Sequence, residues 1–320
     1  MATSGSKDFS LNRDQVIRGA LRLLGGQIGS SSHPSEAFEN ASEALNMMLK
    51  HWQAEGIGIW MLRDIYIFLA KDTVEYSLGS SGHFTYSMVS TELSADAASG
   101  AASVTLDSVT GVADGYYIGI ELDDGTLQWT TVSGDPSGTT VTLSAVLTGA
   151  ASEDNKVYAY ESKADRPLEL IEDTMRRVMD DGTDIPMRLV SKSEYLSIPT
   201  KTSSGTPNQA YHDRQLGTSK LFVWQAPSSV KEYIQVSARV EIDDMDAATN
   251  DFELPKEWLR ALKWNLASEL LPEYMPAAVN EQTESLWANK AEMIINRAEE
   301  YKSQMESWDR ESTSIFFAAG

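Results

Sequence analysis

The run Asp251–Tyr274, DFELPKEWLRALKWNLASELLPEY, decides how this chain is read. Leu254-Pro255 leads from a short acidic turn into an amphipathic pattern. Pro255 suits the first position of a helix, where its missing N–H is one that has no intrahelical partner anyway. Glu257 falls in the first turn, where a negative charge meets the positive end of the helix dipole. Leu259, Leu262, Leu266 and Leu270 recur at helical spacing, and Pro272 is expected to stop the helix.

Other segments carry the same period. Asn12-x-x-Gln15 has the form of a capping box. Val16, Ile17, Ala20, Leu21 and Leu24 make one apolar stripe ended by Gly25-Gly26. With Gly29 these glycines resemble a phosphate loop, but no strand precedes them and no Gly-Lys-Ser/Thr follows, so a helix C-cap is the better reading. After Pro34, Phe38, Ala41, Leu45, Met48 and Trp52 predict a second helix packed antiparallel to the first. Leu168, Ile171, Met175 and Val178 predict a third. Near the C-terminus Trp287, Ala291, Ile294, Ala298, Tyr301, Met305 and Trp308 run at 4-3 spacing, a heptad seam on a helix roughly 40 Å long. Such a seam packs either on the chain's own core or on a neighbour. Trp287, Ile294, Tyr301, Met305 and Trp308 are the candidate subunit-interface residues.

Elsewhere the period is two. Ile65, Ile67 and Leu69, then Val74, Tyr76 and Leu78 after the Lys71-Asp72 turn, predict a strand pair. Leu221–Trp224 and Tyr233–Val240 predict strands of one sheet. Residues 91–161 differ in composition: rich in Ala, Ser, Thr, Gly and Val, with eleven acidic residues against Lys156 alone, a net of −10. Short alternating runs separated by turns such as Asp124-Gly125 predict a small β barrel or sandwich. The Asp123-Asp124-Gly125 cluster lacks the regular oxygen spacing of a calcium loop and reads as a turn. Asp243, Asp244 and Asp246 read as a solvated loop.

The expected fold is therefore α+β: a helical-bundle main domain with a small antiparallel sheet, built from residues 1–90 and 162–311, and an all-β module inserted at 91–161. Residues 312–320 form a tail in which Ile315, Phe316 and Phe317 follow the charged Asp309-Arg310-Glu311.

A resemblance links these segments. Asp184-Ile185-Pro186, Ser191, Glu194-Tyr195, Pro199, Lys201, Gly205, Pro207, Tyr211, Asp213, Leu221 and Trp224 stand in the order "dIP", "S-x-x-E-Y", "P-x-K-x-x-x-G-x-P", "Y-Y-D", "L-x-V-W". That order, with the 251–274 run, resembles the head-to-tail adaptors of tailed bacteriophages, the connector proteins like tail tubular protein A of short-tailed phages. His212 replaces the second Tyr, and Gln225-Ala226-Pro227 replaces "P-x-P". The resemblance covers about 1–90 and 160–310. It implies a virion structural protein at the head–tail junction, assembled in the host cytoplasm. It further implies a dodecameric ring, contact with the portal protein above and with tail nozzle or fibre proteins below, and a channel for duplex DNA. Ile315, Phe316 and Phe317 are then the expected portal-docking residues.

Bulk properties agree with an ordinary folded chain: 320 residues, 42% hydrophobic, 23% charged, no cysteine. Thiolate metal sites and disulfides are excluded. The longest apolar-rich run, Ile57–Ala70, contains Arg63 and Asp64 and is too short to span a bilayer, so no membrane contact is expected. The net charge is −21, opposite to that of a duplex-binding protein, whose Lys and Arg replace counterions on phosphate. It fits solubility, and also a surface that DNA passes without tight binding. None of the four histidines, His33, His51, His83 and His212, pairs at metal spacing or beside a nucleophile, and no Walker loop, G-x-S-x-G or dinucleotide fingerprint occurs. No catalytic residue, cofactor or metal is expected. A second reading makes the chain a virion surface protein that binds or cleaves glycans through the aromatics of the inserted module, Tyr116, Tyr117 and Trp129.

Overall fold

The computed structural model describes residues 9–25, 35–57, 61–274 and 281–308. The chain divides into two compact units, one from its two ends, up to Met61 and from Ile242, and one from Leu62–Glu241.

The first unit is helical. Helix α1, Arg13–Leu24, starts on a reciprocal box: Gln15 N donates to Asn12 Oδ1 at 3.0 Å and Asn12 N to Gln15 Oε1 at 3.1 Å. It ends at Gly25, whose φ of 97° favours a residue without Cβ. Helix α2 is Ser35–Glu55. A six-residue helix, α3, belongs to the second unit and is described below. Helix α4, Trp258–Glu269, lies at the centre of the first unit, followed by the single turn α5, Leu271–Tyr274, and by α6, Glu281–Trp308. Leu262, Leu266 and Leu270 are fully buried on α4 with Ile17, Ala20, Leu45 and Trp258. Each such aliphatic burial is worth about 1.5–3 kcal/mol. Trp258 packs tilted on Trp52, ring centroids 5.7 Å apart. The segment before α4 is pinned by Lys50 Nζ to Ile242 O at 2.6 Å and Met245 N to Asn46 Oδ1 at 2.9 Å. Lys50 also pairs with Asp244 at 3.0 Å.

One expectation at α4 changes in detail. Pro255 precedes the helix, its carbonyl accepting from Trp258 N at 2.9 Å. Helix α4 ends at Glu269, ahead of Pro272, and Pro272 then sits in the single turn α5, where its fixed φ is tolerated.

The second unit is built of strands, and here the expected helical-bundle main domain is overturned. Residues 162–241 contain one short helix, α3, Lys192–Ser197, among strands. Strands β1 (Leu62–Phe68), β2 (Glu75–Leu78) and β3 (Phe84–Thr85) precede the insertion. Strands β4 (Val89–Glu92), β5 (Ser103–Thr105), β6 (Tyr117–Glu121), β7 (Leu127–Thr131), β8 (Thr140–Thr142) and β9 (Lys156–Tyr160) make it up. Strands β10 (Glu169–Leu170), β11 (Arg176–Val178), β12 (Asp184–Pro186), β13 (Arg188–Leu189), β14 (Ser204–Gly205), β15 (Gln209–Asp213), β16 (Ser219–Trp224), β17 (Ala226–Pro227) and β18 (Tyr233–Arg239) follow. One sheet runs β12-β11-β18-β1-β3, with β10 also on β18; another runs β13-β15-β16-β2; β14 and β17 pair alone.

The third helix expected at 168–178 is instead β10, a 3-10 turn at Glu172–Thr174, and β11. Tertiary pairing overrides the helical spacing: β18 alternates buried Ile234, Val236 and Ala238 with half-exposed neighbours and recruits both short strands. Arg177, 3% exposed, is held there by Glu232 at 2.6 Å. The strand pair expected across Lys71-Asp72 is not a hairpin. Strand β1 pairs β18 and β3, whereas β2 pairs β16. For the same reason β16 and β18 lie in different sheets.

The inserted strands close on themselves. The order β4-β9-β6-β7 is extended by Ser133 N to Thr142 O and Ser144 N to Thr131 O, both 2.9 Å, which join β7 to β8. Strand β8 pairs β5, and Ser94 N to Thr105 O and Asp107 N to Glu92 O, both 3.0 Å, return β5 to β4. The result is a six-stranded barrel whose interior holds Leu93, Leu106, Ile118, Ile120, Val141 and Val157. Asp124-Gly125 forms the β6–β7 turn, with Gly125 at φ 78° and the Asp124 carboxylate accepting from Thr126 N at 2.9 Å.

Candidate functional site

Two clusters in the second unit gather the residues that carry chemistry. The first begins with Gly119 on β6, which faces Trp129 on β7; a Cβ at Gly119 would come within 2.8 Å of the indole. The missing side chain lets Trp129 lie down across the strand. His83 stacks on it, centroids 4.2 Å apart and planes 5° from parallel. Beneath them Phe68 contacts Trp129 at 4.9 Å, Tyr158 at 5.0 Å and Tyr160 at 5.7 Å. Tyr117 stacks on Tyr160 at 5.0 Å, and the Lys163 ammonium lies 5.3 Å from the Tyr117 ring. Tyr158 Oη donates to Val230 O at 3.1 Å. This aromatic seam joins the barrel to β1, β3 and β18 of the same unit.

His83 Nδ1 and Tyr160 Oη are 2.7 Å apart. Burial, and then the Lys163 charge, lower the His83 pKa from 6.5 to about 4, so the ring is neutral near pH 7. Burial also lowers the Lys163 pKa, and its ammonium donates to Ser80 O at 2.7 Å. Beside it opens a cleft of about 560 Å³ lined by Ser80, Tyr117, Glu161, Lys163, Asp165 and Arg166. Two of its charges are engaged: Tyr86 Oη donates to Asp165 Oδ2 at 3.0 Å, and Arg166 pairs with Glu241.

The expected glycan-facing aromatics are thus placed otherwise. Tyr117 and Trp129 are half-buried in the seam, and Tyr116 packs against the barrel interior. Of the three, Tyr117 also lines the cleft, and Trp129 is covered on one face by His83. The sequence reading missed His83, Tyr160 and Lys163, since no periodicity marks them. The one available signal was Gly119, a glycine inside a strand pattern.

Charge ties the barrel down as well. Lys156, the cation of the acidic segment, meets Asp180 at 2.7 Å and Glu92 at 3.2 Å. Burial pulls its pKa down, but the bonds to Asp180 and Glu92 outweigh that and leave it raised. Lys71 Nζ donates to Asp124 O at 3.2 Å.

The second cluster lies between Ser191 and Trp224. Ser191 caps α3: Glu194 N donates to Ser191 Oγ at 3.3 Å and Ser191 N to Glu194 Oε2 at 2.8 Å. The bond from Ser191 N, and then the one from Ser191 Oγ at 2.9 Å, hold the Glu194 carboxyl below its usual pKa. Tyr195, buried, stacks on Tyr211 at 5.8 Å and meets Phe222 at 5.6 Å. The Lys201 ammonium lies 5.6 Å from the Tyr195 ring and donates to Ile198 O at 3.0 Å. Trp224 Nε1 reaches back to Thr200 O at 3.0 Å. Tyr211 Oη donates to Asp213 Oδ1 at 3.0 Å. Gly205 lies where a Cβ would collide with Gln225. Ser191 and Glu194 thus hold each other, Tyr195 gathers Lys201 and Tyr211, and Tyr211 holds Asp213, while Trp224 and Gly205 meet Thr200 and Gln225 of the same region; Leu196 is 61% exposed.

The α6 seam is divided. Ile294 and Tyr301, 1% and 8% exposed, are spent inside their own unit's core, so these two are not available to a neighbour. Met305 packs on the same core and Trp287 is half-buried near Gly25. Trp308 is 58% exposed. Ile315, Phe316 and Phe317 lie outside the described residues. Among the described residues no group of acidic or histidine side chains could hold a metal, and no helix is long and apolar enough to cross a membrane.

No family model matches the chain, and no curated protein matches it. Among solved structures the chain is similar to VP17, a capsid protein of bacteriophage P23-77, at 14% identity over 55% of this chain and 78% of that one, with a TM-score of 0.12. A likeness that slight carries no argument.

Proposed function

We propose that this chain is a structural protein of a tailed-phage virion, of the head-to-tail adaptor type: a ring that joins the portal to the tail and lets duplex DNA pass without holding it. The observation that carries the reading is the interlocked loop. The residues shared with adaptors, from Ser191 to Trp224, are not scattered over the surface. Ser191 and Glu194 cap one helix, Tyr195 on that helix meets Lys201 and Tyr211, and Trp224 bonds Thr200 in the loop between them. Because these residues meet in space, their order along the chain belongs to one local structure, and that supports the reading.

The net charge of −21 supports passage of DNA without tight binding, since phosphate affinity needs many clustered cations. In this reading the protein does no chemistry, takes no cofactor or metal, and works in the virion through its contacts with portal, tail and its own copies. The glycan reading is the less favoured, because Tyr117 stacks on Tyr160 and Trp129 on His83.

Co-sedimentation with the portal protein of the same virion tests the reading. The chain is expected to travel with the portal, and a Tyr195→Ala variant, which empties the loop's anchor, to travel with it less. A chain that never co-sediments with the portal at any salt overturns it.

A further inference from the structure

The helical unit carries an island of positive charge that its many acids leave alone. Arg22 on α1 and Arg260 on α4 are exposed; Lys263 on α4 and Lys290 on α6 are half-exposed. The Lys263 stem crosses α1 at Gly19, where a Cβ would stand 2.8 Å from Lys263 Cδ and 3.8 Å from Arg22 Nη2. Lys290 Nζ reaches the C-terminal end of α1, 3.1 Å from the Cβ position of Gly25. None of the four takes part in an ion pair among the described residues. Burial and the neighbouring Arg22 and Arg260 lower the Lys263 pKa, as expected of cations held together without a counter-charge.

The island has an apolar border. Leu286, 67% exposed, and Met293, 49% exposed, lie one turn to either side of Lys290 on the same face of α6. On the other side of the balance, α2 turns a complementary stripe away from its core. Glu39 and Glu43 are exposed and unpaired among the described residues, and Met47, four residues on, is 61% exposed.

We propose that the Arg22–Lys263–Lys290 face of one copy docks on the Glu39–Glu43–Met47 stripe of a second copy, with Met47 seated against Leu286 and Met293. The inference rests on the assembly reading above and names the surfaces it would use. The two surfaces differ, so the contact is head-to-tail and propagates into a ring or a filament rather than stopping at a two-fold dimer. A nucleic-acid backbone is the less fitting partner. It has no use for exposed Leu286 and Met293, and a chain of net charge −21 repels it beyond the patch.

A charge swap tests this on the full chain. One variant carries Arg22→Glu and Lys290→Glu; the other carries Glu39→Lys and Glu43→Lys. Sedimentation velocity reads self-association, and thermal melting checks folding. The wild type is expected to associate, more weakly as salt rises. Each variant alone should lose at least about tenfold in association, as like charges face each other. The equal mixture should recover it, because one new contact is native and the other is the pair reversed. Should Arg22→Glu with Lys290→Glu melt early, Lys263→Glu takes its place. A monomeric wild type, variants that associate as the wild type does, or folded variants whose mixture does not recover would each overturn the proposal. So would a basic-face variant that loses duplex DNA binding while associating normally, which assigns the patch to nucleic acid. Portal co-sedimentation is read separately: its loss with self-association intact counts against the adaptor reading and leaves this contact standing.

Discussion

The imidazole of His83 lies flat on the indole of Trp129, with centroids 4.2 Å apart and planes 5° from parallel. One residue precedes the inserted barrel and the other sits inside it, so this stack, with Phe68 below, couples the barrel to the sheet that carries it. The coupling has measurable consequences.

Acid should weaken the fold before the carboxylates titrate. His83 and His212 have folded pKa values of about 4 against 6.5 ordinarily, His212 through burial and then the Arg214 charge. Between pH 6.5 and about 4 the unfolded chain binds protons that the folded chain does not. Stability is therefore full above pH 6.5 and falls as pH drops to about 4. The melting temperature at pH 7 and pH 4.5 measures it. His83→Phe keeps the stack and removes the titration, so its melting temperature should fall less; an unchanged pH slope contradicts this account.

Gly119→Val should be destabilising. Any Cβ there meets the Trp129 ring at 2.8 Å, so the indole must leave His83 or the strands must part. The loss should be about 1–3 kcal/mol, the usual range for overpacking. Denaturant unfolding measures it, and Trp fluorescence should redden as the ring is freed. A variant of wild-type stability would show that Trp129 is not held where it is described.

Phe68→Ala should be worse, at about 3–5 kcal/mol. Phe68 is 3% exposed and touches Trp129, Tyr158 and Tyr160. Hydrogen exchange should show strands β1 and β9 opening together. If only β1 loses protection, the seam does not couple the barrel to the sheet.

Ser191→Ala removes the cap of α3 and should cost about 0.5–2 kcal/mol. Because Glu194 and Tyr195 follow on that turn, portal co-sedimentation should weaken along with stability. Weakened stability with undiminished portal binding would separate the loop from function.

Local structure was legible in this sequence wherever one short segment determines it. The Asn12–Gln15 box, the Asp124-Gly125 turn and the buried leucines of α4 are such cases. Pairing across distance was not legible. Leu168, Ile171, Met175 and Val178 have helical spacing, yet β18, more than fifty residues on, draws the segment into strands. Val74–Leu78 sits two residues past a turn from Leu69, yet joins β16. Alternation shows which face of a strand is buried and says nothing of its neighbour. The same limit applied to the site. Trp129 alternates as a surface aromatic would, and only the partner strand's Gly119 and the distant His83 make it part of a half-buried stack.

The most direct test of the central claim is electron microscopy of the chain bound to the portal of its own virion. The account expects a symmetric ring of copies coaxial with the portal, continuing its channel, with one barrel per copy visible as a separate density. A portal that images bare after incubation with the folded chain, or copies bound off the axis without ring symmetry, would contradict it.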